Sequence, residues 1–570
     1  MLMSAPSDSA PSFLQQLLLQ TSQAMIQGMA HWVVQQQTAP EADGGVLGAL
    51  QRDWLAQHGQ LWQNMSQAGE KGGFPSMFAP APGDRRFSGR AWSESPVYDY
   101  LRQAYLLNAG YLSRLAEVMP LENEQDRGRV RFLVRQTVEA LAPSNFAATN
   151  PEFIQKALDT KGESIRRGIA NLLADLDKGR ISMTDESAFE VGHNLAVTPG
   201  AVVFENELFQ LLQYSPLTDK VAQRPLLLVP PCINKFYILD LQAHNSFVRY
   251  AVEQGNTVFL ISWRNVKADG GHLRWDDYIE RGVLEAIERV RAICRIKQIN
   301  LLGFCVGGTL LSSALAVARA RGDAPAKSLT LLTTLLDFAE PGEIGCFVDE
   351  KSVAMREGSI GQGGLLPGRE LASVFASLRA NELIWQYVVG NYLKGDTPPA
   401  FDLLFWNSDS TNLPGPFLAW YLRNMYLENN LRVPGRLEMC GVRVDLGRVD
   451  MPAFVLATRE DHIVPWHGAF ASSRLLGGEV TFVLGASGHI AGVINPAAAN
   501  KRSHWVNPHG AEQADAWLAA AEEARGSWWP RWAEWLKAFG GRRIAARTVL
   551  GDAEHRPVEP APGRYVKERA

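Results

Sequence analysis

Apolar side chains recur every three to four residues at roughly 98–118, 123–142 and 151–178, which predicts three helices. The third begins at Asn150-Pro151-Glu152, with proline at the first helical position, where its missing N–H has no intrahelical acceptor to lose. Further upstream, Ser12 to Gln37 carries no Asp, Glu, Lys or Arg. Leu14, Leu17, Leu18, Met25, Met29, Trp32 and Val33 fall mostly on one helical face there, and Gln dominates the other. A helix packing on its own domain or on a partner helix is expected. Residues 1–10 are small and polar and are expected to be disordered, and 69–97, with Gly72-Gly73 and Pro80-Ala81-Pro82-Gly83, read as a loop or linker.

Past Lys178-Gly179-Arg180 the pattern changes. Short apolar runs at 188–193, 201–205, 225–230, 257–262, 299–303, 328–333, 452–457 and 479–484 predict strands. The later runs are continuous Leu, Val, Ile and Phe, as strands covered on both faces require. Helical stretches separate them. The expected fold is therefore α/β, a mostly parallel sheet with helices on both faces, behind an all-helical N-terminal domain. The boundary falls near 185: residues 1–185 form a helical docking or regulatory domain and 186–570 the catalytic domain. The interval 335–450 is too long for one crossover and reads as an insertion. It holds Trp385, Tyr387, Tyr392, Phe401, Phe405, Trp406, Phe417, Trp420, Tyr421 and Tyr426. Such a segment is expected to cover the carboxyl edge of the sheet as a lid that is closed or partly disordered without substrate.

Composition narrows the class. The chain has 570 residues, 46% of them hydrophobic, ample for a large core. With 56 basic and 60 acidic side chains the net charge is −4, which carries no overall nucleic-acid signature. Five cysteines, Cys232, Cys294, Cys305, Cys346 and Cys440, show neither a Cys-x-x-Cys pair nor metal-ligand spacing, so no metal site is expected and a reducing compartment is. No basic segment leads into an apolar run at the N-terminus, and no uncharged apolar stretch reaches the span of about 20 residues that a membrane requires. A soluble cytoplasmic enzyme is the expectation.

The chemistry centres on Gly303-Phe304-Cys305-Val306-Gly307-Gly308, between the apolar run Ile299–Leu302 and a helical stretch from Thr309. Strand, Gly-x-nucleophile-x-Gly turn and helix make the nucleophile elbow of the α/β-hydrolase fold, here with cysteine as nucleophile. That fold requires an acid and then a histidine, each after a late strand. Asp461 follows Ala453–Ala457, and His489 follows Thr481–Leu484. His489 would be general base toward Cys305, and Asp461 would orient it. Glu460 and His462 are the rivals. The oxyanion hole needs the Val306 N–H and a second one from the loop Pro230–Lys235. Pro231 has no N–H, which leaves Cys232 or Ile233. A thiol with a pKa of about 8.5 is readily activated by an imidazole. Its acyl adduct is itself a thioester, so an acyl group moves from coenzyme A to the enzyme with little loss of driving force. This suits a transferase that passes acyl groups to a hydroxyl.

Several strings resemble the class I polyhydroxyalkanoate synthases. They are the 230–240 segment beginning Pro230-Pro231-Cys232, Ile261-Ser262-Trp263-Arg264-Asn265, the elbow, Trp406-Asn407-Ser408-Asp409-Ser410-Thr411-Asn412, Asp461-His462-Ile463-Val464-Pro465-Trp466 and Ser487-Gly488-His489-Ile490-Ala491-Gly492-Val493-Ile494-Asn495. The resemblance implies Cys305 as the acyl- and chain-carrying thiol, His489 as base and Asp461 as third member. Asp240, Arg379, Trp406 and His462 sit in family motifs as substrate-binding or supporting residues. It implies polymerisation of (R)-3-hydroxyacyl-CoA, with CoA released and no cofactor beyond this thioester substrate. Phe304-Cys305-Val306 and Ala491-Gly492 resemble the short-chain members, which points to (R)-3-hydroxybutyryl-CoA. Implied partners are the polyester granule surface, its phasin coat and a second copy in a homodimer. An acyl-CoA thioesterase or polyester depolymerase on the same scaffold is the alternative.

Overall fold

The computed structural model describes residues 45–71 and 75–570, so the helix expected over Ser12–Gln37 lies outside the described residues. The chain divides into two compact units, Met1–Asp185 with Ser373–Pro399, and Glu186–Ala372 with Ala400–Ala570. No described helix is long and apolar enough to cross a membrane.

The first unit is helical: Gly45–Lys71, Ala91–Glu94, Pro96–Val118, Glu124–Ala140, Pro151–Asp159 and Glu163–Lys178. The caps explain the starts. The Asn123 side chain accepts from the Asp126 N–H, and Asn150 accepts from Glu152 and Phe153, with Pro151 behind it. The single helix expected over 151–178 is two, because Lys161 (φ 51°) and Gly162 (φ 85°) are left-handed. Part of the expected insertion belongs to this unit. Tyr392 donates its hydroxyl to Asp175, 2.8 Å, Asn171 donates to the Asn391 and Asp396 carbonyls, 3.0 and 3.1 Å, and Asn391 donates to the Ser182 carbonyl, 2.7 Å. Ser373–Pro399 is thus stitched to the helices and not to the sheet.

The second unit is built on eleven strands: β1 Gly200–Glu205, β2 Phe209–Tyr214, β3 Leu226–Val229, β4 Val258–Trp263, β5 Ile299–Phe304, β6 Ala326–Leu332, β7 Ala453–Thr458, β8 Val480–Gly485, β9 Ser503–Val506, β10 Glu522–Arg525 and β11 Glu559–Pro560. Their spatial order is β10-β9-β8-β7-β6-β5-β3-β4-β2-β1-β11. The six central strands, β8 to β4, are parallel; β9 and β10 on one side and β2, β1 and β11 on the other are antiparallel. Alternate side chains serve opposite faces. Leu227 and Leu301 enter one core with the helices Glu285–Cys294 and Val306–Ala320. Leu228 and Leu302 enter the other, with Phe247, Trp528, Trp529 and Trp532. Burial on both faces is why these strands are continuously apolar. The run 188–193 is not a strand: Asn194 donates to the Ala188 carbonyl and accepts from the Glu190 N–H, closing a turn.

Candidate active site

β5 ends at Phe304, and the chain turns at Cys305 with φ 53° and ψ −129°, a strained conformation for a residue with a Cβ. The helix Val306–Ala320 starts at once. The turn is tight enough that a Cβ on Gly303 would lie 2.4 Å from the Gly308 Cα, and one on Gly307 would lie 2.3 Å from the Val229 carbonyl oxygen. Both glycines are therefore required by close approach, and the second sets the helix N-terminus against the loop that follows β3. Val306, as the first helical residue, has an N–H with no intrahelical acceptor.

The histidine comes from the helix His489–Val493, immediately after β8. Its Nδ1 lies 2.7 Å from Asp461 Oδ2, and Cys305 is near enough to act on the imidazole. Since a carboxylate only accepts, Nδ1 carries the proton and Nε2 faces the thiol. Asp461 is fully committed: Oδ1 accepts from the Ile463 and Val464 N–H groups, 2.9 and 2.8 Å, and Oδ2 also accepts from Thr458, 3.2 Å. Its side chain is 0% exposed and that of His489 is 6% exposed. Burial alone would push the imidazole down. The Asp461 carboxylate and the Cys305 sulfur outweigh it and push His489 up to about 10. Phe304 stacks on the imidazole at 5.7 Å. Glu460 is exposed on the same turn, so burial singles out Asp461 as the acid.

The remaining residues sort by what they touch. In the Pro230–Lys235 loop, Trp263 donates to the Pro230 carbonyl, 2.9 Å, Thr411 to the Cys232 carbonyl, 3.0 Å, and Trp406 to the Lys235 carbonyl, 2.7 Å. Trp406 therefore anchors this loop, a supporting role. The Lys235 ammonium, 3% exposed, donates to the main-chain carbonyls of Val566, at 2.8 Å, and Glu568, and burial pushes its pKa down. Cys232 is buried, and burial pushes its thiol up. Asp240 is buried and accepts from Thr198 and Ser246, 2.5 and 2.6 Å, so it braces the chain after the loop. His462 gives its carbonyl to the Glu343 N–H, 3.1 Å, while His489 holds the triad position. Arg379 lies in the first unit, where its carbonyl caps the turn beginning at Asn381 by accepting from Glu382 and Leu383, 3.1 and 2.9 Å.

Sequence reasoning did not single out several supporting groups. Tyr421 and Tyr426 lie close enough to Cys305 that its charge acts on both phenols, which burial has already pushed up. Tyr421 stacks on Trp275 at 5.2 Å and 11°, and Phe417 stacks on the same indole at 5.0 Å. Of the insertion's other aromatics, Trp385 and Tyr392 belong to the first unit and Phe405 packs on Phe189 at 5.4 Å. Trp528 and Trp529 donate to the Gly492 and Val493 carbonyls, both at 3.0 Å, and so hold the helix that carries His489. Nothing in the string Trp528-Trp529-Pro530-Arg531-Trp532 distinguishes a support for a catalytic helix from ordinary core.

Comparison with known proteins agrees with this geometry. Residues 225–496 match the alpha/beta hydrolase fold, and residues 83–251 match the N-terminus of poly-beta-hydroxybutyrate polymerase (PhaC). The chain is 55% identical over 529 residues to the poly(3-hydroxyalkanoate) polymerase subunit PhaC of Cupriavidus necator, covering 92% of this chain and 89% of that one. It is 42% identical over 491 residues to the protein of the same name from Rhizobium meliloti, covering 85% and 80%. It is 43% identical over 495 residues to poly(3-hydroxyalkanoate) polymerase 2 of Ectopseudomonas oleovorans, covering 86% and 87%. With a cysteine elbow, a buried acid–histidine pair and likeness along most of its length, the chain belongs to the poly(3-hydroxyalkanoate) polymerase family.

Proposed function

We propose that the enzyme polymerises (R)-3-hydroxyacyl-CoA, first of all (R)-3-hydroxybutyryl-CoA, into polyhydroxyalkanoate through a thioester on Cys305. We place it in the cytoplasm and on polyester granules beside phasins, acting as a homodimer. The observation that carries the chemistry is a cysteine on the elbow facing an imidazole held by a buried carboxylate. With its affinity for a proton raised, His489 Nε2 already holds the thiol proton when the sulfur attacks the thioester carbonyl. The oxyanion faces the N–H groups of Val306 and Ile233. The bond to the CoA sulfur breaks, and that sulfur leaves with the proton from His489. The 3-hydroxyl of the next unit then gives its proton to His489 and attacks the acyl group. The Cys305–acyl bond breaks, and the thiolate recovers the proton. His489 serves both steps because both Asp461 oxygens are filled. The thioester brings its own activation, so the reading calls for no resident metal or cofactor.

Incubation with (R)-3-hydroxybutyryl-CoA tests this. Insoluble polymer should form while CoA is released. Free 3-hydroxybutyrate equal to the CoA released would instead identify a thioesterase.

A further inference from the structure

The segment Ser410–Asn412 belongs to the insertion, yet it runs along the active-site loops. Asn234 and Ser410 form an antiparallel bridge, and Asn412 bonds the loop after β4 through Asn265 Oδ1, 2.9 Å, and the Val266 carbonyl, 3.1 Å. Between them, Thr411 is buried and places its hydroxyl on the Cys232 carbonyl at 3.0 Å. That carbonyl shares a peptide plane with the Ile233 N–H. In a trans peptide the two point in opposite directions, so a donor that holds the carbonyl on one side fixes the N–H on the other.

We propose that Thr411 is a positioning residue for acyl transfer: by holding the Cys232 carbonyl it aims the Ile233 N–H at the oxyanion. This rests on the covalent role assigned to Cys305. The insertion thus contributes to catalysis through a main-chain dipole, without touching the reacting atoms. Every tetrahedral intermediate on Cys305, in acylation and in chain transfer, uses the same donor. Alkylation of Cys305 by iodoacetamide passes through no oxyanion and does not need it.

The experiment compares wild type, Thr411→Val and Thr411→Ser for release of CoA from (R)-3-hydroxybutyryl-CoA and for alkylation by iodoacetamide. Valine keeps the shape and loses the hydroxyl; serine restores it. Losing an oxyanion donor outright costs about 100- to 1000-fold in kcat, and misaiming one costs less, about 10- to 100-fold. Thr411→Val should show that loss in kcat, with KM within about threefold and alkylation at the wild-type rate. Thr411→Ser should recover most of the turnover. Full turnover in Thr411→Val overturns the proposal. So does equal loss of alkylation and turnover, which would mark a merely structural residue, and so does failure of serine to rescue. If wild type itself acquires no acyl group on Cys305, the covalent reading fails, a result distinct from all of these.

Discussion

An imidazole whose Nδ1 is committed to a buried carboxylate has one nitrogen left to offer a thiol, and His489 offers it to Cys305. Cys305→Ala should abolish CoA release, and Cys305→Ser should be nearly as inactive, because a hydroxyl is a far poorer nucleophile at neutral pH. Wild-type turnover in the serine protein would refute the assignment. The raised imidazole also predicts a pH dependence of stability. A folded-state value of about 10 lies above the unfolded one of about 6.5, so folding binds a proton. The stabilisation is complete below about pH 6.5 and is lost as pH rises through about 10. The melting-temperature advantage of wild type over His489→Gln should therefore shrink across that window; an advantage that grows with pH would contradict it. In Cys305→Ala the imidazole, followed by NMR, should titrate lower, since one of the groups raising it is gone. At this scale the triad was legible because the fold prescribes the order nucleophile, acid, histidine, each after a strand. The roles of Trp406 and Asp240 were not, because an indole on a backbone carbonyl and a carboxylate between two hydroxyls leave no spacing pattern.

Among the elements, the parallel strands could be read within a residue or two, since burial on both faces writes an unbroken apolar run. Among the antiparallel strands β1 could be read as well, over 201–205, but β2, β9, β10 and β11 could not. β2 interrupts its apolar residues with Gln210 and Gln213, both buried, whose amides reach Glu559 and the Gly551 N–H. β10 is Glu-Glu-Ala-Arg and reads as surface. The helix Trp529–Lys537, with Trp528 before it, carries a testable dependence. Trp528→Phe keeps the ring and leaves the buried Gly492 carbonyl without its donor, which should cost about 1–3 kcal/mol. Because Gly492 lies three residues past His489, turnover should fall along with thermal stability. Trp532→Phe, whose indole reaches the Thr330 hydroxyl at 3.1 Å, should lose stability and keep turnover. Equal turnover in the two variants would show that the His489 helix does not depend on its tryptophan.

For the whole molecule, the reassignment of Ser373–Pro399 matters most. Its hydrogen bonds run to Asp175, Asn171 and Ser182. A chain beginning at residue 186 keeps the sheet and triad but leaves this stretch without those partners. Limited proteolysis should cut such a chain between 373 and 399 well before the strands, and the full chain should resist there. Similar cutting in both would show that the helices do not protect the segment. Sequence placed this stretch in the insertion because it lies between two strands; only the hydrogen bonds assign it elsewhere.

The ammonium of Lys235 meets the carbonyl of Val566 across 331 positions of chain. Closing so long a loop is entropically unfavourable, so this contact is poorly placed to form early in folding. It completes the segment that also carries the Ile233 N–H. The catalytic loop should thus be among the last parts of the protein to find its native state. After dilution from denaturant, helical circular dichroism should recover first and CoA release should follow with a delay. The enzyme would pass through a period of being folded in outline but chemically silent.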